Sequence, residues 1–416
     1  MSSERPEDRP PRVVLGVSGG IAAYKACEVL RKLTETGHDV RVVPTPAALE
    51  FVGSATFEAL SGNPVRTGVF EDVDEVPHVR LGQEADLVVV APATADLLAR
   101  AAHGNADDLL TSTLLTARCP VLMVPAMHTE MWEHRATQDN IALLRSRGVT
   151  VAEPASGRLT GADSGRGRLP DPLEIADLAR LLLAEPAALP RDLQGRRVVV
   201  SAGGTREPLD PVRYLGNRSS GRQGYALARV AAQRGADVTL VAAHTADLVA
   251  PAGVRMVPVG TAEEMRTAML AESDGADAVV MAAAVADFRP LDLAGYKIKK
   301  SDVDPEPVRL TRNADILAEL IESRQQGQLK ARLIVGFAAE TGDRDTTVLD
   351  HGRTKLHRKR CDLLVVNAVG DGRAFETEEN AGWLLAADGT ERAIPFAAKS
   401  RLSATVWDVV AEQLEE

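Results

Sequence analysis

Arg12-Val-Val-Leu-Gly-Val-Ser-Gly-Gly-Ile-Ala-Ala-Tyr-Lys25 carries a β-branched apolar run into a serine- and glycine-rich turn and then into a helical pattern. Arg12–Val17 reads as a buried strand and Ile21–Thr36 as the helix that follows it. Strand, tight turn and helix in that order open a doubly wound α/β domain. Working outward, Val40–Val43, Asp86–Ala91 and Val121–Val124 repeat the short β-branched signature at intervals that leave room for crossover helices, which predicts buried parallel strands. A second series runs through Arg197–Ser201, Val238–Ala242, Ala278–Ala283, Leu333–Phe337 and Leu363–Val366. The fold class expected is therefore α/β, with two doubly wound, Rossmann-like domains.

The two series are separated by Glu185-Pro-Ala-Ala-Leu-Pro-Arg-Asp-Leu-Gln-Gly195, whose prolines and glycine mark a linker. This places one domain at 12–187 and the other at 188–416. A chain of 416 residues is longer than one hydrophobic core usually serves, in keeping with that division. Residues 1–11 are polar and proline-rich, and read as a disordered tail. Asp171-Pro172-Leu173-Glu174 reads as the start of the first domain's last helix, with Asp as cap and Pro in the first turn. The glycine-rich stretch Ser156–Arg168 before it reads as a mobile loop. With 45% hydrophobic and 26% charged residues and no apolar run of about 18, the chain has a globular composition and no membrane-spanning signature. Its three cysteines, Cys27, Cys119 and Cys361, lack metal or disulfide spacing and suit a reducing, cytoplasmic setting. A formal net charge of −11 disfavours nucleic acid and anionic membranes as partners, so an anionic small molecule would need local basic clusters.

Gly16, Ser18, Gly19 and Gly20 lie between a strand and a helix start, where free N–H groups and the helix dipole favour a phosphate. The spacing is neither G-x-G-x-x-G nor a Walker loop, and by itself the segment reads either as an anion site or as a tight turn. Two more segments fall at the carboxyl ends of predicted strands, where open α/β sheets bind ligands: Ala91-Pro-Ala-Thr-Ala-Asp96 and Pro125-Ala-Met-His-Thr-Glu-Met-Trp132. Met127, Met131 and Trp132 could equally be core packing, and His78, in Pro77-His78-Val79 after an acidic run, a surface loop residue.

Taken together and in this order, these four segments resemble the flavin-containing cysteine decarboxylases, the family of phosphopantothenoylcysteine decarboxylase, over about residues 12–185. The resemblance implies a flavodoxin-like domain binding FMN, with the phosphate near Gly16–Gly20 and the ring near Ala91, Pro92, Ala93 and Thr94. It implies a redox cofactor for a reaction without net oxidation: the flavin oxidises the cysteine CH2–SH to a thioaldehyde whose C=S accepts the electrons released with CO2, and then returns its reducing equivalents to the ene-thiol. His78 is the implied catalytic residue, placed to take or return a proton. His128 stands where the family has an asparagine that binds the substrate carboxylate, and is expected in the substrate site as a donor. In the flap, Asp163 and Arg168 match the family, whereas Gly161 replaces a cysteine that protonates the ene-thiol.

The second half has its own constellation. Ala202-Gly-Gly-Thr-Arg-Glu-Pro-Leu-Asp-Pro-Val-Arg213 and Asn217-Arg-Ser-Ser-Gly221 combine backbone donors, hydroxyls and arginine near one strand end, a composition suited to a phosphorylated carboxylate. Ala283-Ala-Val-Ala-Asp-Phe288, Lys297-Ile-Lys-Lys300, Gly336-Phe-Ala-Ala-Glu-Thr341 and Lys355-Leu-His-Arg-Lys359 follow. Read singly, Lys297–Lys300 could be a solvated loop and Lys355–Arg360 a basic helix end. As an ordered set they resemble phosphopantothenate–cysteine ligase over about residues 195–410. The resemblance implies that Asn217 contacts an acyl-cytidylate, that Lys297 assists the chemistry, and that Asp287, Ala314, Asp315, Ile316, Leu317, Phe337, Lys355 and Lys359 form the CTP site. Gly203, Gly204, Thr205, Arg213, Ser219, Ser220 and Gly221 are the substrate-binding candidates, and Arg222 replaces a lysine while keeping its charge. Mg2+ is the implied phosphate counter-ion, with no metal ligands assigned.

The substrates so implied are 4′-phosphopantothenate, L-cysteine and CTP, and the product of the ligase half is the substrate of the decarboxylase half. The resemblance also implies a homo-oligomer with trimerising flavin domains and dimerising ligase domains, which would put FMN at a subunit interface. The competing reading, left room by His128 and Gly161, is an active ligase fused to a degenerate flavin-binding or regulatory domain.

Overall fold

The structure, a computed structural model, describes residues 9–68, 76–159, 163–299, 307–340, 347–368 and 379–415. The chain divides into two compact units, one ending at Leu189 and including Pro251–Gly253, the other beginning at Pro190.

In the N-terminal unit, strands β1 (Arg12–Val17), β2 (Asp39–Pro44), β3 (Leu87–Ala93), β4 (Val121–Pro125) and β5 (Thr150–Val151) form one sheet in the order β2-β1-β3-β4-β5. All pairings are parallel, with Val13 opposite both Val40 and Leu87, and Val88 opposite Val121. This is the flavodoxin-like order, whose switch point lies between β1 and β3. β3 is the middle strand and all seven of its residues are buried, as a strand covered by helices on both faces must be. Leu97, Leu98, Leu109, Leu110, Ile141 and Leu144 from three helices pack on one face of it. Three of its helices begin where a side chain can take up a free N–H: Thr94 caps Ala95–His103, Asp108 closes a capping box on Leu109–Thr116, and Asp171 caps Pro172–Ala184.

Three details depart from the sequence expectation. The first helix is split into a 3-10 turn, Ile21–Lys25, and an α-helix, Ala26–Thr34. The glycine-rich stretch expected as a mobile loop pairs as two antiparallel strands, β6 (Ala155–Arg158) with β7 (Ser164–Arg168); residues 160–162, Gly161 among them, lie outside the described residues. Of the expected tail, residues 1–8 lie outside the described residues, whereas 9–11 are held in place: Arg9 grips both carboxylate oxygens of Asp86 at 2.8 Å, and the Pro11 carbonyl accepts from the Asp39 amide.

The C-terminal unit contains β8 (Arg197–Ala202), β9 (Arg206–Pro208), β10 (Tyr214–Gly216), β11 (Asp237–Ala242), β12 (Val254–Pro258), β13 (Ala278–Met281), β14 (Phe288–Pro290), β15 (Leu310–Arg312), β16 (Leu333–Glu340), β17 (Leu363–Ala368), β18 (Glu379–Ala386) and β19 (Glu391–Ala398). Eight of them make a sheet in the order β12-β11-β8-β13-β16-β17-β18-β19, parallel as far as β17 and antiparallel beyond. The sheet is thus mixed: β18 and β19 join through a tight Asp388-Gly389 turn, too short for a crossover helix. β9/β10 and β14/β15 form separate two-stranded antiparallel sheets. The C-terminal helix Lys399–Glu415 packs on helix Arg222–Gln233, and the fully buried Trp407 donates from its indole N–H to the Leu227 carbonyl at 2.9 Å. Among the described residues, no helix is long and apolar enough to cross a membrane.

Candidate active sites

At the carboxyl ends of β1, β2, β3 and β4 the N-terminal unit opens into a cavity of about 1020 Å3, at the size limit of small-molecule sites and roomy enough for a cofactor with a substrate. The glycine turn forms its floor. A Cβ on Gly19 would come within 2.5 Å of the Ala47 Cβ, so only glycine lets the turn after β1 lie against the turn after β2. Gly20 is less confined, its nearest neighbour being Thr94 at 3.6 Å from such a Cβ, and it faces the cavity. Ser18 lies in the wall, yet its hydroxyl is committed: it donates to the Pro92 carbonyl at 2.7 Å and accepts from the Thr94 amide at 2.9 Å. Ser18 is therefore a staple between two loops rather than a free ligand group. Gly16, Ala91 and Ala93 do not reach the cavity; Gly16 lies against Leu110, and both alanines are wholly buried in β3. Of the segment Ala91–Asp96, Pro92, Thr94, Ala95 and Asp96 line the space, after a cis Ala91–Pro92 bond.

The opposite wall is basic. Lys25, Arg158, Arg168 and His128 all line it. Burial, reinforced by the neighbouring Arg168 charge, holds the Lys25 pKa below its ordinary value. Two cations kept together in a partly desolvated place favour an anion between them. His128 sits at the start of helix Thr129–Glu133, its Nδ1 3.7 Å from the Asp163 carboxylate of the hairpin. Asp163 itself does not line the cavity, and its carbonyl accepts from the Leu159 amide. These donors fit a flavin phosphate at the glycine turn and a carboxylate or phosphate of a substrate at the basic wall.

Sequence reading missed the far side. Arg100 reaches the cavity and bonds Asp107 and Asp108 at 2.8 Å and Asp96 at 3.1 Å, and Thr45, Pro46 and Ala47 close the rim. The rim residues follow β2, so the strand-end rule could have found them; Arg100 gave only the signal of a basic residue within a helix.

His78 is not brought to the cavity of its own chain. It lies in the first turn of helix Pro77–Glu84, after Val76 at φ 44, a left-handed conformation that β-branched residues rarely adopt. Its carbonyl accepts from Thr116 at one end of helix Leu109–Thr116, whereas Asp108 at the other end lines the cavity, a separation of about 12 Å along the axis. The His78 Nδ1 is buried with no hydrogen-bond partner among the described residues. None of the three cysteines lines the cavity.

In the C-terminal unit the loops after β8, β13 and β16, three adjacent strands, carry most of the expected residues. They are joined by direct contacts. Asn217 donates from Nδ2 to the Val285 carbonyl at 3.2 Å, the Asp287 carbonyl accepts from the Asn313 amide at 2.9 Å, Asp315 pairs with Lys359, and Lys355 pairs with Glu340 at 2.8 Å. Asp315 also caps helix Ile316–Gln325, and Leu317 packs against Gly336, next to the half-buried Phe337. Ala314 and Asp315 are exposed and Ile316 is buried. Beside this chain a cavity of about 470 Å3 is lined by Gly204, Asn217, Ser219 and Ser220, together with Arg206, Arg218, Arg222 and His244. Arg206 stacks on Tyr214 at 4.4 Å. Burial first, then the Arg206 charge, lowers the His244 pKa.

Other expected members play structural parts. Thr205 is fully buried and its hydroxyl accepts from the Ala286 amide; Gly203 and Gly221, at φ 83 and 76, let the loops pass close to His244 and Thr245. Arg213 does not line the cavity: it is spent on Asp210, at 2.6 and 3.0 Å, and on the Ile298 carbonyl at 3.0 Å. Asp210 in turn accepts from the amides of Val212, Arg213 and Ile298, and the Arg213 guanidinium with these amides holds its carboxyl far below the usual range. This knot fixes the segment that carries the exposed Lys297; Lys300 and Thr341 lie outside the described residues. Among the described residues no cluster of three or more His, Cys, Asp or Glu is placed to hold a metal.

Residues 193–414 match the family described as DNA/pantothenate metabolism flavoprotein C-terminal domain, and residues 1–183 the family described as Flavoprotein. The coenzyme A biosynthesis bifunctional protein CoaBC of Mycolicibacterium smegmatis is 64% identical over 405 residues, covering 97% of this chain and 98% of its own. The protein of the same name from Vibrio parahaemolyticus is 41% identical over 405 residues, covering 96% and 98%. Among solved structures, the C-terminal domain of a coenzyme A biosynthesis bifunctional protein CoaBC aligns at 33% identity over 54% of this chain and 98% of that one, with a TM-score of 0.45. The FMN-dependent cysteine decarboxylase SpaF aligns at 34% identity over 42% and 97%, with a TM-score of 0.37. Since both halves are matched and nearly the whole length is shared at such identity, the chain belongs to the family of coenzyme A biosynthesis bifunctional proteins.

Proposed function

We infer that this chain is a bifunctional enzyme of coenzyme A biosynthesis, which joins L-cysteine to 4′-phosphopantothenate at the expense of CTP and decarboxylates the product with FMN. The observation that carries the reading is the pair of strand-end cavities, one with a glycine floor and a basic wall, the other walled by Arg206, Arg218, Arg222 and Asn217.

In the ligase half, Asn217 is oriented by its bond to the Val285 carbonyl, which leaves its amide oxygen for an acyl-cytidylate. The arginines and Lys297 offset charge on the departing pyrophosphate, with Mg2+ as further counter-ion. Lys355 and Lys359 exchange Glu340 and Asp315 for nucleotide phosphates. Attack by the cysteine amine then forms the amide bond and expels CMP.

In the decarboxylase half, bound FMN supplies reversible two-electron oxidation of the thiol-bearing carbon. The turn at Gly19–Gly20 binds its phosphate, Arg168 and Lys25 hold substrate anion, and His128 donates to the carboxylate. His78 moves the proton. Because it does not line its own chain's cavity, a neighbouring copy in a homo-oligomer supplies it, which agrees with the trimeric flavin domains expected. The enzyme works in the cytoplasm. A single incubation with phosphopantothenate, CTP, Mg2+ and cysteine, followed by mass spectrometry, tests the reading: product without the carboxyl group supports it, whereas accumulation of phosphopantothenoylcysteine by the unaltered protein sinks the decarboxylase half. His78→Ala should keep its flavin and halt at that intermediate.

A further inference from the structure

Glu153 follows β5, where nothing in the reaction asks for a carboxylate, and yet it is only 7% exposed. A charge in that position needs partners. It has two guanidinium groups: Arg145, at 3.0 Å, from helix Arg135–Ser146, and Arg166, at 2.5 Å, from β7 of the hairpin. Arg166 also lies over the Trp132 ring at 5.7 Å, in the helix that begins after His128. One guanidinium thus ties together the three segments behind the basic wall.

The hairpin stem rests on the His128 segment without slack. The Met127 amide donates to the Gly167 carbonyl at 2.9 Å, a Cβ on Gly167 would fall 2.3 Å from the Met127 carbonyl oxygen, and one on Gly165 would fall 2.3 Å from the Thr129 hydroxyl. The ladder between β6 and β7 skips Gly167: Arg168 stands opposite Ala155 and Arg166 opposite the next residue, Ser156, so the bulge turns the two arginines to opposite faces of the hairpin. Only Arg168 reaches the cavity. The hold that Glu153 has on Arg166 therefore fixes the back of the hairpin, and with it the direction in which Arg168 points.

We propose that Glu153 is a positioning residue for decarboxylation: by engaging Arg166 it seats the hairpin stem on the Met127–Thr129 segment and so holds Arg168, on the other face of the bulge, toward the substrate's anionic group. The inference rests on the decarboxylase reading of this cavity. It assigns to Glu153 no contact with substrate or flavin.

The test uses the full-length flavoprotein carrying Glu153→Gln or Arg166→Met. Each variant should raise the KM for phosphopantothenoylcysteine about 10-fold while kcat moves by no more than about 2-fold, as expected from loss of one charge-assisted hydrogen bond outside the reacting centre. Flavin content and CTP-dependent pyrophosphate release should match the unaltered protein. The double variant should be no worse than either single one, since both break the same bond. Arg166→Lys, which keeps the charge but loses the fork and the stacking, should fall between. Hydrogen exchange at the Met127 amide should quicken in the two single variants. An unchanged KM with unchanged exchange overturns the proposal, as does flavin loss in step with the KM rise, which marks a general loss of packing. The exchange measurement needs no turnover, so a protein that failed to decarboxylate would count against the proposed function while exchange still decided this inference.

Discussion

Gly19 shows how much a single position can decide. Any side chain there meets the backbone and Cβ of Ala47, so Gly19→Val must push the first turn away from the second and open the phosphate seat. Overpacking of this kind costs about 1–3 kcal/mol. The expected outcome is a folded protein that purifies without flavin absorbance yet still releases pyrophosphate with CTP and cysteine; a yellow Gly19→Val protein would contradict the placement of the phosphate. The glycine was legible in the sequence because turn chemistry is local. The role of Ser18 next to it was not, since its hydroxyl is taken up by Pro92 and Thr94, 74 and 76 residues away. The same holds for Arg213, whose charge reads as a ligand for phosphate until Asp210 is seen to hold it.

Among the elements, the pairing of hairpin β9/β10 with the segment before β15 matters most for the ligase, because Asp210 and Arg213 pin Lys297's neighbour Ile298, one at its amide and the other at its carbonyl. Its carboxyl is held below its unfolded value by Arg213 and three amides, so the stabilisation is complete above about pH 4 and is lost as pH falls from there towards the lower folded value. Asp210→Asn removes the charge at every pH. The variant should show a raised KM for CTP at neutral pH, and its melting temperature, lower than that of the unaltered protein at pH 7, should converge with it in acid; a constant gap down to pH 3 would show that Asp210 does not titrate in the way described. At this scale the sequence announced strands and caps well, as Asp171 and Pro172 illustrate, because capping needs only residues within one turn. It failed for β5, only two residues long, and for β6/β7, whose glycines read as loop until Met127 pairs with Gly167.

For the molecule as a whole, the two units should fail independently. Arg234 is buried at 1% exposure and joins Asp192, ahead of β8, to Asp408 in the C-terminal helix. Arg234→Met leaves both carboxylates unpaired at a cost of about 3 kcal/mol, which in a unit of this size lowers its melting temperature on the order of 10 °C. Scanning calorimetry should show that shift in one transition while the temperature of flavin release stays put. Catalysis should be separable too: His78→Ala and Asn217→Ala proteins, each blocked at a different step, should together convert phosphopantothenate to the decarboxylated product when mixed, and failure of the mixture would mean that the intermediate never leaves the chain that made it. What the sequence determined by itself was the alternation of strand and helix and the ordered motifs at strand ends, which depend on neighbours a few residues apart. Tertiary structure decided which members of each motif face a ligand, that β18 and β19 reverse direction, and that His78 stands away from its own cavity. Those outcomes hang on partners tens of residues distant, brought within hydrogen-bonding reach only when the sheets close.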